Sequence, residues 1–250
     1  MLPGLRFVFE LMSRAMKTDP DPLRYGGYTT DDPREAPGIL LSYIARGSRV
    51  FDVGCGTGSL ASAVRDKLGC QVVGLEPNVD RARVASERGI EVVNRMFTRE
   101  NVAGLPKFDV VMFADVLEHF ADPIEALQLA RTLLAPGGCI VASVPNVAHW
   151  TVRVDLLRGR FEYGDLGIMD ATHLRWFTSA SLLRLFTSAG FEVEHLKGAA
   201  GLWMSEYGYR RPTKWLNLAN REALILFCLR RWPGAFSSQF VVKSKPVFPG

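Results

Sequence analysis

Cysteine is scarce in this sequence, since 250 residues contain four, and no two of them stand in the C-x-x-C spacing of a thiolate metal site. A zinc centre built on cysteines and a disulfide framework are therefore both disfavoured. Scattered cysteines of this kind are typical of proteins in the reducing cytoplasm, so we expect a cytoplasmic location.

Long apolar runs and concentrated basic runs are absent as well. No segment reaches the roughly eighteen apolar residues that a transmembrane helix needs. The amphipathic opening stretch carries Glu10 and Arg14 where a secretory signal has a continuous apolar core. The formal charge of +4 comes without a run of lysine or arginine typical of a nucleic-acid arm. We expect no membrane span and do not favour nucleic acid as a partner.

Glycine, in contrast, is concentrated in one stretch, RVFDVGCGTGSL at 49–60. Its apolar start predicts a buried parallel strand, and three glycines at alternate positions predict a sharp turn into a helix that begins near Ser59. A ligand can approach main-chain N–H groups at such a helix start. Asp52 would repel a pyrophosphate and suits a cationic ligand, and Ser59 stands where a dinucleotide fingerprint has its third glycine. NAD is therefore not favoured.

Apolar runs that alternate with helix-period stretches predict an α/β protein with a doubly wound parallel sheet, whose ligands bind at the carboxyl ends of the strands. The predicted strands are 50–53, 71–76, 90–93, 108–114, 139–144 and 191–197, with a turn at 136–138. The predicted helices are 37–46, 59–68, 79–88, 122–134, 150–157, 178–190 and 215–232.

A second acidic residue, Glu76, closes the second predicted strand twenty residues beyond Gly56, near the offset of a ribose-binding carboxylate. With Asp52, the glycine turn and the phrase LLAPGGCIVASVPN, the chain from 49 to 198 resembles the class I S-adenosylmethionine-dependent methyltransferases. The resemblance implies a Rossmann-like seven-stranded sheet, mostly parallel with an antiparallel last strand at 239–245 and with helices on both faces. It also implies S-adenosylmethionine as the cofactor.

The same resemblance implies roles for the residues of the cofactor site. The glycine turn and Asp52 would hold the amino-acid end of the cofactor, and Glu76 the ribose hydroxyls. Family members commonly place an aspartate after the third strand for the adenine amino group, whereas this chain has Met96 or Phe97 to pack on the adenine. The expected cofactor-binding residues are Asp52, Gly54, Cys55, Gly56, Gly58, Glu76, Pro77, Met96, Phe97, Ala114 and Asp115.

Methyl transfer from a sulfonium is an in-line displacement, so the protein must align the acceptor with the methyl group and exclude water. A hydroxyl acceptor at neutral pH also needs a general base or a metal ion. Asp115, Glu118 and His119 follow the fourth strand with D-x-x-E-H spacing, and His173 lies in the later phrase MDATHLRWFT. These residues supply candidates for both roles.

This combination is similar to that of metal-dependent O-methyltransferases, such as those of ubiquinone biosynthesis and the small-RNA 3′-end 2′-O-methyltransferases. Those enzymes have E-x-x-E-H, whereas here Asp115 replaces the first glutamate and is one methylene shorter. The resemblance implies that Asp115, Glu118, His119 and His173 hold a divalent metal. Two carboxylates and two imidazoles suit Mg²⁺, Mn²⁺ or Fe²⁺ better than they suit a zinc site that selects thiolates.

Two alternatives to the metal stay open. In the first, His119, His173 and Asp115 are catalytic without a metal, and His173 is a general base or a substrate ligand. In the second, Glu118 and His119 only cap the following helix or hydrogen-bond the loop, as they do in methyltransferases that use no metal.

The segment after the fifth strand resembles the substrate wall of methyltransferases from bacterial sugar, polysaccharide and natural-product pathways. Alternatively, helix 150–157 packs on the sheet with its arginines in solvent. Tyrosines of the N-terminal segment are candidates for a lid over the cofactor or for surface aromatics that cover an apolar edge. The expected substrate-side residues are Tyr25, Tyr28, Asn146, His149, Trp150 and Arg153, with Arg160 and Tyr163 as further candidates.

An insert of about forty residues, 199–238, separates the last two predicted strands and is rich in aromatic residues. Loops of this length usually carry function or structure of their own. A substrate lid, a homodimer face and an interfacial membrane helix are the three interpretations. We favour the lid or the homodimer face, because the insert has only one short apolar run.

We predict a single domain over 1–250, made of an N-terminal helix and lid at 1–38, a cofactor-binding core at 39–198, the insert at 199–238, and a last strand and tail at 239–250. The predicted function is O-methylation of a hydroxyl on a small-molecule, sugar or natural-product acceptor. The alternatives are N- or C-methylation of a metabolite, 2′-O-methylation of RNA 3′ ends, and a non-catalytic partner protein.

Overall fold

The computed structural model describes residues 31–201 and 218–247. Most of the predicted N-terminal helix and lid, including Tyr25 and Tyr28, lies outside these residues, as does the first part of the aromatic insert. Across the two described ranges, no helix has the length and apolar character needed to cross a membrane.

A seven-stranded sheet forms the centre of the protein, with the strand order β3-β2-β1-β4-β5-β7-β6. Strand β7 pairs antiparallel with both β5 and β6, whereas the pairs from β3 to β5 are parallel. The predicted sheet, including its antiparallel last strand, is therefore confirmed. The strands are β1 Arg49–Val53, β2 Gln71–Leu75, β3 Glu91–Val93, β4 Phe108–Ala114, β5 Leu134–Pro145, β6 Phe191–Ala199 and β7 Gln239–Pro246.

Helices cover both faces of this sheet, as the near-continuous apolar strands require. Phe51 and Phe113 pack on one face with helices α5 and α7, whereas Val50 and Met112 pack on the other with α1 and α2. The helices are α1 Ala36–Tyr43, α2 Ser59–Leu68, α3 Val79–Glu87, α4 Arg99–Val102, α5 Pro123–Arg131, α6 Trp150–Leu157, α7 Ser179–Ser188, α8 Leu218–Arg231 and α9 Pro233–Phe236.

Local side-chain chemistry starts the helices that flank the site. Asp122 caps α5, since its Oδ1 accepts hydrogen bonds from the backbone N–H groups of Ile124 and Glu125. Thr178 and Ser181 form a reciprocal capping box at the start of α7. Both helix starts agree with the predicted positions.

The predicted turn at 136–138 is wrong in detail. Phe108 pairs with Leu134 and Val110 pairs with Cys139, so the additional residues form a bulge inside β5. The strand therefore begins five residues earlier than expected, and helix α5 ends at Arg131, before the predicted boundary.

Candidate active site

The glycine turn joins the carboxyl end of β1 to helix α2 and is held against the end of β2. Gly54, Gly56 and Gly58 have φ values of 72°, 56° and 76°, which favour glycine. The N–H of Gly54 donates to the carbonyl of Leu75 at 2.7 Å, and the N–H of Gly56 donates to Oε2 of Glu76 at 3.0 Å. These two N–H groups are thus satisfied within the chain, whereas the sequence suggested that they face a ligand.

Two of the three glycines are also required by close packing. A Cβ on Gly54 would lie 2.7 Å from Cγ2 of Val116, and one on Gly58 would lie 2.9 Å from Cβ of Ala85. A Cβ on Gly56 would meet nothing within 4 Å. The surface of the turn at Gly56 is therefore open, and this is where a ligand can approach the backbone.

The side chain of Cys55 faces away from this opening. A Cβ on Gly74 of β2 would lie 2.5 Å from the Cys55 sulfur, so the thiol packs against that strand. Burial raises the pKa of the Cys55 thiol above its usual range. Any contact of Cys55 with the cofactor would involve its backbone.

Two buried carboxylates lie at the ends of β1 and β2. Asp52 is 2% exposed and Glu76 is 4% exposed. Burial, together with the nearby charge of Glu76, raises the pKa of Asp52 to about 7. Oδ1 of Asp52 has no hydrogen-bond partner among the described residues, whereas Glu76 also accepts the Asn78 N–H at 2.9 Å. This pair suits a ligand with positive charge and hydroxyl donors.

Of the two residues after β3 that were expected at the adenine, Phe97 packs against the hydrophobic core and Met96 is exposed. The ring of Phe97 lies 5.9 Å from that of Phe113 and 6.1 Å from that of Phe120, within an aromatic cluster under the sheet edge. Met96 is 39% exposed. Asn94 donates from Nδ2 to the carbonyl of Glu76 at 2.7 Å and so fixes the end of β3. Met96 is the more accessible of the two adenine candidates.

Asp115 follows β4 and turns toward β5 and β7. Its φ of 53° lies in the left-handed region, which is uncommon for a residue with a side chain. Oδ1 accepts a hydrogen bond from the Ser143 hydroxyl at 2.9 Å, and Oδ2 accepts one from Nε2 of Gln239 at 2.6 Å. Asp115 is therefore not brought into the metal-ligand group that the sequence suggested. Gln239 was missed because it lies 124 residues away in the chain.

Glu118, His119 and His173 do come together. Their ligand atoms all lie within 4.8 Å of one another. Oε1 of Glu118 is 4.0 Å from Nε2 of His173, and the two imidazole ring centroids are 5.0 Å apart. The 3₁₀ turn Leu117–His119 and the loop that contains His173 supply these side chains.

Backbone hydrogen bonds join the two segments. The carbonyl of Glu118 accepts the N–H groups of Leu174 and Arg175, at 2.8 and 3.0 Å. Thus the main chain of Glu118 hydrogen-bonds the loop, in agreement with one alternative, while its side chain has a different environment.

The Glu118 carboxylate is 1% exposed. Within the part of the chain that the structure describes, neither of its oxygens has a hydrogen-bond partner. Burial, reinforced by the charges of Asp115 and Asp170, raises the pKa of Glu118 well above its usual value. A buried carboxylate without donors is costly unless a cation compensates it.

Each histidine directs one ring nitrogen to a backbone carbonyl. Nδ1 of His119 lies 3.2 Å from the carbonyl of Thr172, and Nδ1 of His173 lies 3.2 Å from that of Ile168. Burial lowers the pKa of both imidazoles, that of His119 to about 4. Neutral rings that donate from Nδ1 keep a lone pair on Nε2, which is the arrangement of metal-binding histidines.

The expected substrate-side residues separate into two groups. Asn146 is fully buried, and its Nδ2 donates to the carbonyls of Ser237 at 2.8 Å and Gly234 at 3.1 Å. Its Oδ1 accepts the N–H of Ala148 at 3.0 Å. Asn146 therefore joins β5 to the segment before β7, and its contact with an acceptor stays a prediction.

His149 is buried, with Nδ1 2.8 Å from the Thr151 hydroxyl, and burial lowers its pKa to about 4. Trp150 is half-buried, and exposed Arg153 donates from Nε to the Ala148 carbonyl. For these three residues, contact with the acceptor stays a prediction.

The described part of the insert consists of α8 and α9. Trp232 is 48% exposed, and its ring lies 6.4 Å from that of Phe227 and 6.2 Å from that of Phe236. A role as a lid or as a homodimer face stays a prediction. The remaining aromatic residues, Trp203, Tyr207, Tyr209 and Trp215, lie outside the described residues.

Comparison with known proteins gives a family match. The family described as "Methyltransferase domain" matches residues 28–196. A ubiquinone biosynthesis O-methyltransferase of Ruegeria pomeroyi is 41% identical over 157 residues, and one of Dinoroseobacter shibae is 34% identical over 160 residues. Each alignment covers 61% of this chain and 63% of the relative. The chain thus spans less than two thirds of these relatives.

Solved structures share the fold. A SAM-dependent methyltransferase from Archaeoglobus fulgidus aligns with a TM-score of 0.57 at 19% identity, over 84% of this chain and 92% of that chain. The CcbJ methyltransferase from Streptomyces caelestis aligns with a TM-score of 0.55 at 19% identity, over 90% and 95%. At this identity the likeness concerns the fold alone.

Proposed function

We propose that this chain, which belongs to the methyltransferase domain family, transfers the methyl group of S-adenosylmethionine to a hydroxyl oxygen of a small-molecule acceptor with the help of a divalent cation. The observation that carries the proposal is the group of Glu118, His119 and His173. It combines a buried carboxylate that has no hydrogen-bond partner among the described residues with two imidazoles whose Nε2 lone pairs are available.

The predicted class I methyltransferase and its donor, S-adenosylmethionine, are confirmed by the family match. We assign Asp52 to the cationic amino-acid end of the donor and Glu76 to the ribose hydroxyls. Both carboxylates lie at the carboxyl ends of parallel strands, where open α/β sheets bind their ligands. The open surface at Gly56 lies between them in the chain and next to Glu76.

Glu118, His119 and His173 would hold the cation. A bound Mg²⁺ or Mn²⁺ would polarise the acceptor hydroxyl and lower its pKa, so that the oxygen becomes a nucleophile at neutral pH. Oxygen and imidazole ligands without a thiolate agree with such a metal. The residues fit the ion, because the Glu118 oxygens lack donors among the described residues and the histidine tautomers are set by backbone carbonyls.

Electrostatics disfavour a metal-free general base at His119 and also at His173, because burial lowers the pKa of both imidazoles. A general base works best with a pKa near the operating pH, whereas burial lowers the pKa of His119 to about 4. Such an imidazole takes up a proton weakly at neutral pH. The same property favours metal binding, because a metal ligand must be unprotonated.

The acceptor class rests on the relatives. The two relatives compared above carry the name ubiquinone biosynthesis O-methyltransferase. We infer from them that oxygen, and not nitrogen or carbon, accepts the methyl group here.

The test is a product assay with the full chain, S-adenosylmethionine and separate panels of phenolic, sugar and amine acceptors. S-adenosylhomocysteine and the methylated product are measured by mass spectrometry. We expect an O-methylated product whose formation stops with EDTA and returns with Mg²⁺ or Mn²⁺. Glu118→Gln should abolish it, whereas Asp165→Asn, which changes an exposed carboxylate of the same region, should not. Undiminished turnover in EDTA contradicts the metal, and N-methylated products contradict the acceptor.

A further inference from the structure

A buried aspartate lies directly behind the two histidines. Asp170 is 1% exposed, in a compact loop where Gly164 and Asp170 form an isolated β-bridge. Oδ1 of Asp170 accepts two hydrogen bonds from Thr172, one from the backbone N–H at 2.8 Å and one from the hydroxyl at 2.6 Å. The carboxylate therefore holds Thr172 through both of its donor groups, the backbone N–H and the side-chain hydroxyl.

Thr172 in turn contacts the first histidine. Its carbonyl lies 3.2 Å from Nδ1 of His119, the hydrogen bond that sets the tautomer of that ring. The carbonyl of Asp170 accepts the N–H of His173 at 3.1 Å. This N–H and the Thr172 carbonyl belong to the same peptide group, so the main chain of Asp170 holds that group, while its carboxylate holds the N–H and the hydroxyl of Thr172.

We propose that Asp170 is a positioning residue, whose carboxylate orients Thr172 so that His119 stays protonated on Nδ1 and directs Nε2 toward Glu118 and His173. Its importance for the reaction rests on the proposed function, in which these atoms hold the cation. The orientation itself is a property of the metal-free protein and can be tested there.

A carboxylate that is 1% exposed is expensive to bury, and the two short hydrogen bonds from Thr172 offset part of this cost. A general role in closing the loop would be served equally well with His119 in either tautomer. The hydrogen-bond sequence from Asp170 through Thr172 to His119 instead specifies one tautomer. The tautomer is therefore the readout that separates positioning from loop closure.

The experiment compares the wild type with Asp170→Asn, Asp170→Ala and Thr172→Val, and uses Asp165→Asn as the matched control. Asp165 is exposed and lies in the same loop. Long-range ¹H–¹⁵N correlation spectra of the metal-free proteins report which imidazole nitrogen carries the proton. Mn²⁺ affinity is measured by electron paramagnetic resonance, and binding of S-adenosylmethionine confirms that each variant is folded.

We expect Asp170→Asn to keep the Nδ1–H tautomer of His119, because an amide oxygen still accepts both hydrogen bonds from Thr172. Asp170→Ala should lose this preference and weaken Mn²⁺ binding by about 10- to 100-fold, the usual effect of removing an outer partner of a metal ligand. Thr172→Val keeps one of the two bonds and should lie between these variants. Asp165→Asn should match the wild type.

Two outcomes overturn the assignment. In one, Asp170→Ala retains the Nδ1–H tautomer of His119; in the other, Asp170→Asn weakens Mn²⁺ binding as much as Asp170→Ala, so that charge and not position matters. If Asp170→Ala does not fold, the two other variants decide. Weaker Mn²⁺ binding by Thr172→Val than by Asp170→Asn supports the assignment, and the reverse order overturns it. A wild type that binds no Mn²⁺ would contradict the proposed function, while the tautomer measurement would still decide the role of Asp170.

Discussion

Burial of the Asp52 carboxylate at the end of β1 should lower the stability of the cofactor-free protein and strengthen the binding of a cationic donor. Replacement of Asp52 by asparagine tests both effects. The side chain is 2% exposed, and its Oδ1 lacks a hydrogen-bond partner in the described ranges. Asparagine has nearly the same shape without the charge. The substitution should therefore stabilise the cofactor-free protein and weaken the binding of the cationic donor.

The size of the stability effect follows from the pKa of Asp52, which burial raises from 3.8 to about 7. At 1.36 kcal/mol for each pH unit, this shift makes the ionised folded form about 4 kcal/mol less stable than it would be with an unshifted carboxyl. Because the folded pKa is the higher one, the loss begins as the pH rises above 3.8 and is complete above about 7. Asparagine does not titrate, so the variant avoids this loss of stability.

Urea unfolding of the cofactor-free protein between pH 4 and pH 8 measures this difference. Asp52→Asn should resemble the wild type near pH 4 and exceed it by about 4 kcal/mol near pH 8. Calorimetry at pH 8 should show at least tenfold weaker binding of S-adenosylmethionine, since the buried charge has been removed. The control, Asp165→Asn, should show no pH-dependent difference. A stability gain that is constant with pH, or a loss at pH 8, would refute the reasoning.

Three further substitutions probe the site. Glu118→Gln should stabilise the metal-free protein above neutral pH, because burial raises the pKa of Glu118. A hundredfold excess of Mn²⁺ over its Kd should raise Tm by about 5 to 10 °C in the wild type alone, and an equal rise in the variant would contradict the ligand assignment. Gly54→Ala should lower the unfolding free energy by about 2 to 4 kcal/mol. The double variant Gly54→Ala/Val116→Ala should recover part of this loss in urea unfolding, and no recovery would contradict the clash with Val116. Asn146→Ala should lower the unfolding free energy by about 2 to 4 kcal/mol, since three hydrogen bonds are lost; an unchanged urea midpoint would contradict this structural role.

The parallel strands could be predicted because each one has a short apolar run in the local sequence. The run FDVVMFA is apolar and short, and β4 occupies those residues, Phe108–Ala114. The glycines that follow β1 and the cap of α5 are likewise local features. The antiparallel last strand is different, since the family resemblance, and not the local pattern, indicated that β7 returns beside β5 across the long insert.

The bulge in β5 and the role of Asn146 could not be predicted, because both depend on partners distant in the chain. The extra residues before Cys139 are tolerated only where β4 provides the matching register. Asn146 was expected on the substrate side because the segment after the fifth strand resembles the substrate wall of other methyltransferases. Its actual partners, the carbonyls of Gly234 and Ser237, are about ninety residues away and come from the end of the insert.

Of the residues selected by the D-x-x-E-H spacing, the structure brings Glu118 and His119 together with His173, whereas Asp115 is not in this group. Spacing specifies which residues are neighbours in the chain, whereas the direction of Asp115 is set by its φ of 53° and by hydrogen bonds from Ser143 and Gln239. The shorter side chain thus stabilises the junction of β4, β5 and β7. Under the proposed function, Glu118, His119 and His173 would hold the cation without Asp115, and Mg²⁺ in proteins is usually bound by few side chains.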